Sequence, residues 1–233
     1  MNNPWFKVRP GLLKQIKEDL QRSYSDLQVV EETDILYVRG SFPVSHNGQV
    51  LDRFQIQIKF PLNYPKSLPT VRETAGRIPR ILDRHVIPSN GNACLFVEEE
   101  WLLEVGREPR FLTFLDGPVR NFFLGQSLVE TGQPWPFGER SHGRKGVVET
   151  YGEWFGTQDE SMVIRYLECL SREGLKGHWD CPCGSGKRIR QCHFEKIRAL
   201  RPRIPVWLAH QALERLKLLE KFDTKLAALA NQS

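Results

Sequence analysis

The segment RFQIQIKF, residues 53–60, alternates apolar and polar side chains with the period of two that a β-strand requires. Its four apolar side chains share one face and its three polar ones the other: Phe54, Ile56, Ile58 and Phe60 against Gln55, Gln57 and Lys59. Because only one face is apolar, the pattern predicts an antiparallel strand with one face on a core and the other in water.

The sequence on both sides of this strand predicts the rest of an antiparallel meander. LQVVEE (27–32) and DILYVRGSFPV (34–44) have strand composition, and an Asn47-Gly48 turn signal joins the second strand to the third as a hairpin. A short fourth strand is expected near 70–72, and the stretch from Pro10 through LLKQIKEDLQRSY predicts an amphipathic helix. Together these elements indicate an α+β fold.

Regular patterns fade between Glu73 and Leu102, where turn-forming residues occur without sustained periodicity. Such a long irregular stretch inside a compact domain is more often functional than idle. Helical patterns then return at about 109–129, 147–156, 159–173 and 206–230, with TGQPWPFGERSHGRKG (131–146) expected to be a linker. We therefore divide the chain into domains 1–130 and 147–233.

The charge of the chain is uneven. Its net charge is +5, but residues 1–175 carry 21 basic and 23 acidic side chains, whereas residues 176–233 carry 12 and 5. A basic tail indicates an acidic partner, protein or nucleic acid, with a well-solvated helix as the alternative. The 40% hydrophobic content excludes a disordered polymer. No apolar run approaches a membrane span and no secretion signal is visible, so we expect a soluble cytoplasmic protein without membrane partners.

The five cysteines argue against a disulfide framework, because their number is odd and no secretion signal accompanies them. Cys94 stands alone in the irregular stretch. Cys169 lies in a helical pattern, where helix packing is expected. The other three cysteines cluster between residues 181 and 192. Catalysis and metal binding are therefore the chemistries to consider.

The sequence around Cys94 resembles the ubiquitin-conjugating enzyme fold over about residues 10–128. The resemblance is carried by the motif FP-x-x-YP-x-x-x-P, a following histidine, the string NGNACL and a later tryptophan: Phe60, Pro61, Tyr64, Pro65, Pro69, His85, Gly91, Cys94 and Trp101. It implies a meander sheet flanked by helices, and a ubiquitin-like protein or a partner's C-terminus carried as a thioester on Cys94. Activation would come from a separate enzyme, since no nucleotide-binding glycine motif is visible.

The chain departs from the eukaryotic pattern, in which His-Pro-Asn precedes the cysteine. The corresponding stretch is RHVIPSN, with His85 nine residues before Cys94. It resembles the divergent bacterial members of the superfamily, in which a histidine often lies near the cysteine. His85 is a candidate catalytic base or a structural hydrogen bonder, and Asn90 or Asn92 could supply the missing oxyanion donor. The alternatives for Cys94 are a buried small hydrophobe and an inactive domain that only binds ubiquitin-like partners.

Three acidic residues, Glu98, Glu99 and Glu100, follow Cys94 closely. If they lie near the sulfur, their charge would disfavour the thiolate. This pattern suits a thiol that exchanges thioesters better than a strongly activated protease nucleophile.

The string WDCPCGSGKRIRQCH (179–193) holds a second chemical signal. It contains Cys-x-Cys-x8-Cys-His, formed by Cys181, Cys183, Cys192 and His193. Two closely spaced ligand pairs joined by a Gly-Ser-Gly turn predict a closed, tetrahedral, structural Zn²⁺ site. A metal-free reduced cluster is the alternative, and His178 is an alternative fourth ligand.

The same string matches the SEC-C zinc motif, which the resemblance implies is a docking module for protein or nucleic acid. Lys187, Arg188 and Arg190 would then present positive charge to the partner. Stand-alone bacterial proteins of this combined type commonly occur in antiphage defence operons. The implied partners are an activating enzyme and a ubiquitin-like protein or a nucleotidyltransferase that makes a cyclic-oligonucleotide signal. The alternative function is a non-catalytic adaptor that binds protein or, less favoured, nucleic acid through the zinc module.

Overall fold

The computed structural model of the chain describes residues 3–46, 48–95, 101, 102, 105, 110–137 and 143–230, except the side chains of 46, 222, 223 and 225–230. The chain divides into two compact units. The first comprises residues 1–96 and 105–139, and the second comprises residues 97–104 and 140–233.

The first unit is built on a four-stranded antiparallel sheet in the order β1-β2-β3-β4. The strands are β1 (Leu27–Glu32), β2 (Ile35–His46), β3 (Gln49–Lys59) and β4 (Thr70–Glu73). The predicted meander and the α+β class are confirmed. The Asn47 turn lies outside the described residues, but β2 and β3 pair as the hairpin requires.

The alternation that predicted β3 is matched by its burial. Phe54, Ile56 and Ile58 are each at most 1% exposed, whereas the intervening Gln55 is exposed. Phe54 lies directly opposite Phe42 of β2. The apolar face of the sheet therefore forms one side of the hydrophobic core of the first unit.

Helices cover the buried face of this sheet. α1 (Trp5–Val8) and α2 (Pro10–Ser23) precede it, and a 3₁₀ turn (Leu82–Arg84) follows it. α3 (Phe111–Phe114), a π-helical turn (Leu115–Val119) and α4 (Arg120–Glu130) form one succession. On α4 the buried Phe123 ring lies 5.6 Å from Phe42 and 4.8 Å from Phe54, which packs this helix onto the sheet.

The π-helical turn is the main departure from the single regular helix predicted at 109–129. Pro118 lies inside it and has no amide hydrogen to donate, so the regular hydrogen-bond ladder is interrupted there. Leu115 and Val119 are nevertheless fully buried, so the turn belongs to the core.

The second unit is helical. It contains α5 (Gly143–Phe155), α6 (Glu160–Leu170), a 3₁₀ turn (Ile189–Gln191), α7 (Phe194–Arg203) and α8 (Val206–Ala230). Asp159 caps α6 by accepting a hydrogen bond from the Ser161 amide at 2.8 Å. The helix α5 begins at Gly143, inside the segment expected to be a linker, and α7 is absent from the sequence predictions.

The second core gathers aromatic and aliphatic side chains from all of these helices. The Phe155 and Tyr166 rings stack 4.9 Å apart between α5 and α6, and both are at most 1% exposed. Ile189 of the 3₁₀ turn and Ile197 of α7 belong to the same core. Cys169 is buried in the same cluster, as the predicted packing role requires.

Among the described residues, no helix combines the length and the apolar composition that crossing a membrane demands.

Candidate functional site

The second unit brings the four predicted metal ligands together. The ligand atoms of Cys181, Cys183, Cys192 and His193 all lie within 4.8 Å of one another, which is close enough to bind a metal ion. We call these four residues the Cys/His cluster. Nδ1 of His193 lies 3.2 Å from Sγ of Cys181 and 3.2 Å from Sγ of Cys192. The sulfurs of Cys183 and Cys192 are 3.6 Å apart.

A tight backbone loop presents the first ligand pair. Asp180 and Arg188 form an isolated antiparallel bridge, and the Cys181 amide donates to the carbonyl oxygen of Lys187 at 2.9 Å. Gly184 and Gly186 reverse the chain between them with φ values of 77° and 72°, a region that favours glycine. The Gly-Ser-Gly segment thus forms the predicted turn.

The second ligand pair lies between two short helical elements. The Cys192 amide donates to Ile189 at 3.0 Å and ends the 3₁₀ turn, and the His193 carbonyl accepts from Ile197 at 3.0 Å at the start of α7. Because Ile189 and Ile197 are fully buried, this pair is anchored to the core of the second unit.

The cluster concentrates groups that bear negative charge as thiolates. Burial raises the pKa of the Cys181 thiol to about 12. Partial burial opposes ionisation of Cys183, but hydrogen bonds with the Ser185 hydroxyl and backbone lower its pKa to about 6. Burial, together with the charges of the neighbouring sulfurs, raises the pKa of Tyr166 to about 12. A bound cation would stabilise the Cys181 thiolate, which burial otherwise penalises.

The remaining residues singled out in this region lie outside the cluster. His178 is exposed and is not among the four converging ligands. Lys187, Arg188 and Arg190 are exposed, and Arg188 pairs with Asp180 at 2.6 Å. Burial raises the pKa of the Cys169 thiol, which keeps this cysteine protonated within the helix packing.

In the first unit, residues 85–94 form a narrow two-stranded loop, which we call the Cys94 loop. Val86 and Ala93 make an antiparallel bridge, and the Cys94 amide donates to the His85 carbonyl oxygen at 2.7 Å. The Ile87 amide donates to Asn92 at 2.9 Å on the other side of the bridge. The backbone therefore holds His85 and Cys94 opposite each other, and Cys94 is half-buried.

Hydrogen bonds attach this loop to the edge of the sheet. The Ala93 amide donates to the Val71 carbonyl at 2.8 Å, and Nε of Arg72 donates to Oδ1 of Asn92 at 2.7 Å. Oδ1 of Asn90 accepts from the Asn92 amide at 2.8 Å, so both candidate oxyanion residues are fixed within the loop. Gly91 turns the chain with φ of 71°.

The side chain of His85 lies against a residue that the sequence reasoning missed. Its ring is 4.2 Å from the Trp135 ring at an interplanar angle of 32°. Trp135 was assigned to the linker, and no periodicity or motif connects it to His85. Only the folded chain brings the two together.

The sequence also singled out four residues shortly after Cys94. The residues Glu98, Glu99 and Glu100 lie outside the described residues, so their effect on Cys94 stays a prediction. Trp101, seven residues after Cys94, is helical and half-buried.

No protein-family model matches the chain, and no curated protein matches it. The residues and the geometry of the Cys94 loop and the Cys/His cluster are therefore the only guide to what the protein does.

Proposed function

We propose that the first unit is a ubiquitin-conjugating-like cysteine transferase that carries a ubiquitin-like protein or a partner's C-terminus as a thioester on Cys94. The observation that carries this proposal is the 2.7 Å hydrogen bond from the Cys94 amide to the His85 carbonyl. It holds the main chains of His85 and of Cys94, whose side chain is half-buried, opposite each other in one loop at a sheet edge. The resemblance of this segment to the ubiquitin-conjugating fold supports the same function.

The chemistry consists of two acyl transfers without redox change. In the first, the Cys94 thiolate attacks a thioester on an activating enzyme; a new C–S bond forms and the enzyme's thiolate leaves. In the second, an amine attacks the Cys94 thioester; a C–N bond forms and the C–S bond breaks. The His85 imidazole accepts the amine proton and returns it to the departing Cys94 sulfur. A carboxamide of Asn90 or Asn92 supplies a hydrogen-bond donor to the oxyanion.

We further propose that the metal of the Cys/His cluster is Zn²⁺ in a structural role. Two sulfurs about 2.3 Å from a tetrahedral Zn²⁺ lie roughly 3.8 Å apart, and the sulfurs of Cys183 and Cys192 are 3.6 Å apart. Three thiolates and one imidazole complete four-coordination and leave no position for a substrate. Elemental analysis of the purified protein should find one zinc per chain, and a content far below this would contradict the assignment.

The wider setting follows from the resemblance. The transferase would receive its cargo from a separate ATP-dependent activating enzyme, and its partner would be a ubiquitin-like protein or a nucleotidyltransferase in a bacterial antiviral defence operon. The Cys/His cluster would organise a docking module for one of these proteins.

Mass spectrometry without reducing agent tests the transferase proposal on protein co-expressed with its genomic neighbours. We expect a thiol-labile adduct on Cys94 that Cys94→Ala abolishes. Cys94→Ser should convert it into an oxygen ester that thiols do not cleave, since its bond lacks the thioester's exchange chemistry. Cys169→Ser is the matched control, because Cys169 is buried in the second unit and should leave the adduct unchanged. An intact complex with no adduct on Cys94 would sink the proposal.

A non-catalytic adaptor is the second candidate function, favoured by the exposed Lys187 and Arg190 beside the Cys/His cluster. As an adaptor for nucleic acid, the protein would bind with an affinity that falls steeply with salt. Lys187→Ala and Arg190→Ala would each reduce that salt dependence. Absence of binding to RNA and DNA oligonucleotides at low salt would remove the nucleic-acid form of this candidate.

A further inference from the structure

The backbone of His85 is fixed on both sides before its ring makes any contact. His85 has a left-handed conformation with φ of 50°, its amide donates to Leu82 at 2.8 Å, and its carbonyl accepts from Cys94 at 2.7 Å. A non-glycine residue in this region is strained and persists only where its neighbours enforce the conformation. The backbone position of His85 relative to Cys94 is therefore set by hydrogen bonds.

The helix α4 holds the residue before His85 as well. The fully buried Gln126 donates from Nε2 to the Arg84 carbonyl at 2.7 Å and accepts from Arg84 Nε at 2.9 Å. One buried side chain thus bonds both the backbone oxygen of Arg84 and the Nε of its guanidinium. This pair attaches the start of the Cys94 loop to α4.

Gly125, the neighbour of Gln126 on α4, makes room for the indole of Trp135. A Cβ atom at Gly125 would lie 2.4 Å from Cζ3 of Trp135 and 2.6 Å from Cη2, which is far inside van der Waals contact. The Trp135 ring also meets the Phe122 ring edge-on at 6.2 Å. The indole is therefore fixed against α4, and it also contacts the His85 ring at 4.2 Å.

From this arrangement we infer that Trp135 is the positioning residue for His85: its indole, seated on Gly125, fixes the plane of the imidazole of the residue whose backbone pairs with Cys94. Trp135 acts on the reaction through His85 and is not itself a catalytic residue. This inference rests on the proposed function. If its side chain rotated freely, the His85 imidazole would spend much of its time away from the attacking amine. Misplacement of a catalytic group by about 1 Å can lower the rate roughly 100-fold.

Nuclear magnetic resonance of protein with ¹³C-labelled histidine tests the contact directly. In the wild-type protein the Hε1 resonance of His85, assigned by its loss in His85→Asn, should show a ring-current shift. Trp135→Phe should retain part of this shift, and Trp135→Leu should remove it. Gly125→Ala should also remove it by displacing the indole, although alanine favours the helix. Phe137→Leu is the control, because that ring meets Trp135 at 6.0 Å and is 44% exposed.

A kinetic experiment tests whether the contact serves the reaction. Cys94 is loaded with acetyl from S-acetyl-N-acetylcysteamine, and its discharge to glycine ethyl ester is followed on the Cys94 peptide by mass spectrometry. We expect His85→Asn to slow discharge by about 100-fold, and Trp135→Leu or Gly125→Ala by about tenfold. Trp135→Phe should recover most of the rate, and Phe137→Leu should keep it. In a His85→Asn background, Trp135→Leu should have no further effect.

The outcomes separate this inference from the proposed function. An unchanged His85 resonance in Trp135→Leu overturns the positioning role. The same follows if Trp135→Leu slows acetyl discharge equally in the wild-type and His85→Asn backgrounds. If Cys94 accepts no acetyl group, the transferase proposal fails, and the resonance of His85 then decides by itself whether Trp135 holds the imidazole.

Discussion

The Cys94 loop and the Cys/His cluster hold their cysteines by opposite means. In the Cys94 loop the main chain does so: a two-residue bridge and the Cys94–His85 hydrogen bond fix the backbone, and the thiol itself is half-buried. In the Cys/His cluster the side chains converge, with four ligand atoms inside 4.8 Å. Converging thiolates repel one another and are stabilised by a shared cation, which a cysteine fixed by its backbone does not require.

The two units also differ in how much regular structure supports their cysteines. The first unit buries one face of a four-stranded sheet under aromatic side chains such as Phe42, Phe54 and Phe123. In the second unit, residues 171–193 contain no regular element longer than three residues among those described. They attach to the core through the buried Ile189 and Cys181, with Leu175, Trp179 and Cys183 packed against it. We therefore expect metal removal to affect only the second unit.

The largest expected effect comes from removing the metal. Chelation with EDTA should unfold residues 179–203, and so should Cys192→Ser, which removes an exposed ligand. The reason is that structural zinc contributes on the order of 10 kcal/mol to the folding of small zinc-binding modules. Hydrogen exchange followed by mass spectrometry should show protection lost there and retained in β2 and β3.

The control for this experiment is Cys94→Ser, which removes a sulfur from the first unit and should leave metal content and exchange unchanged. Equal protection of residues 179–203 with and without metal would contradict the dependence of the second unit on its cluster.

The sequence predicted those parts whose physical cause is local. β3 was predictable because its side chains alternate, and the four ligands because their spacing is short and their chemistry is specific. The helix α7 escaped prediction because only Ile197 and Leu200 are buried in it and Pro202 falls in its last turn.

Trp135 could not be found from the sequence for a different reason. Its contact with His85 spans fifty residues and depends on the absence of a side chain at Gly125, which only the packed structure makes visible. The main-chain hydrogen bond between His85 and Cys94 could not be predicted from a motif either. Spacing along an irregular stretch does not specify which residues lie opposite each other.

A smaller effect is expected from an ion network that belongs to the first unit alone. Hydrogen bonds from the Arg77 guanidinium at 2.6 and 2.9 Å, helped by the Ser127 hydroxyl, lower the pKa of Asp52 from 3.8 to about 2. Because the folded pKa is the lower one, the stabilisation is complete above about pH 4 and disappears as the pH falls toward 2. Asp52→Asn should cost about 1–2 kcal/mol at pH 7, after allowance for partial exposure.

This second prediction is measured as the urea dependence of hydrogen exchange in β2 and β3 at pH 7 and pH 3. The difference between Asp52→Asn and wild type should shrink at the lower pH. Asp26→Asn is the matched control, since the Asp26–Arg53 pair is about half exposed and should contribute at most about 0.5 kcal/mol. A cost that is equal at both pH values would show that Asp52 acts through packing and not through its charge.

The smallest stability effect is expected at the cysteine proposed to react. Cys94→Ser keeps the backbone amide that donates to His85 and exchanges a half-buried sulfur for an oxygen, so the free energy of unfolding should change by less than about 0.5 kcal/mol. The same substitution at Cys183 removes a metal ligand and should unfold residues 179–203, as Cys192→Ser does. Urea unfolding with the exchange readout compares the two variants on one scale. A large loss of stability in Cys94→Ser would mean that this sulfur is needed for packing, and the contrast between a cysteine kept for reaction and cysteines kept for structure would then disappear.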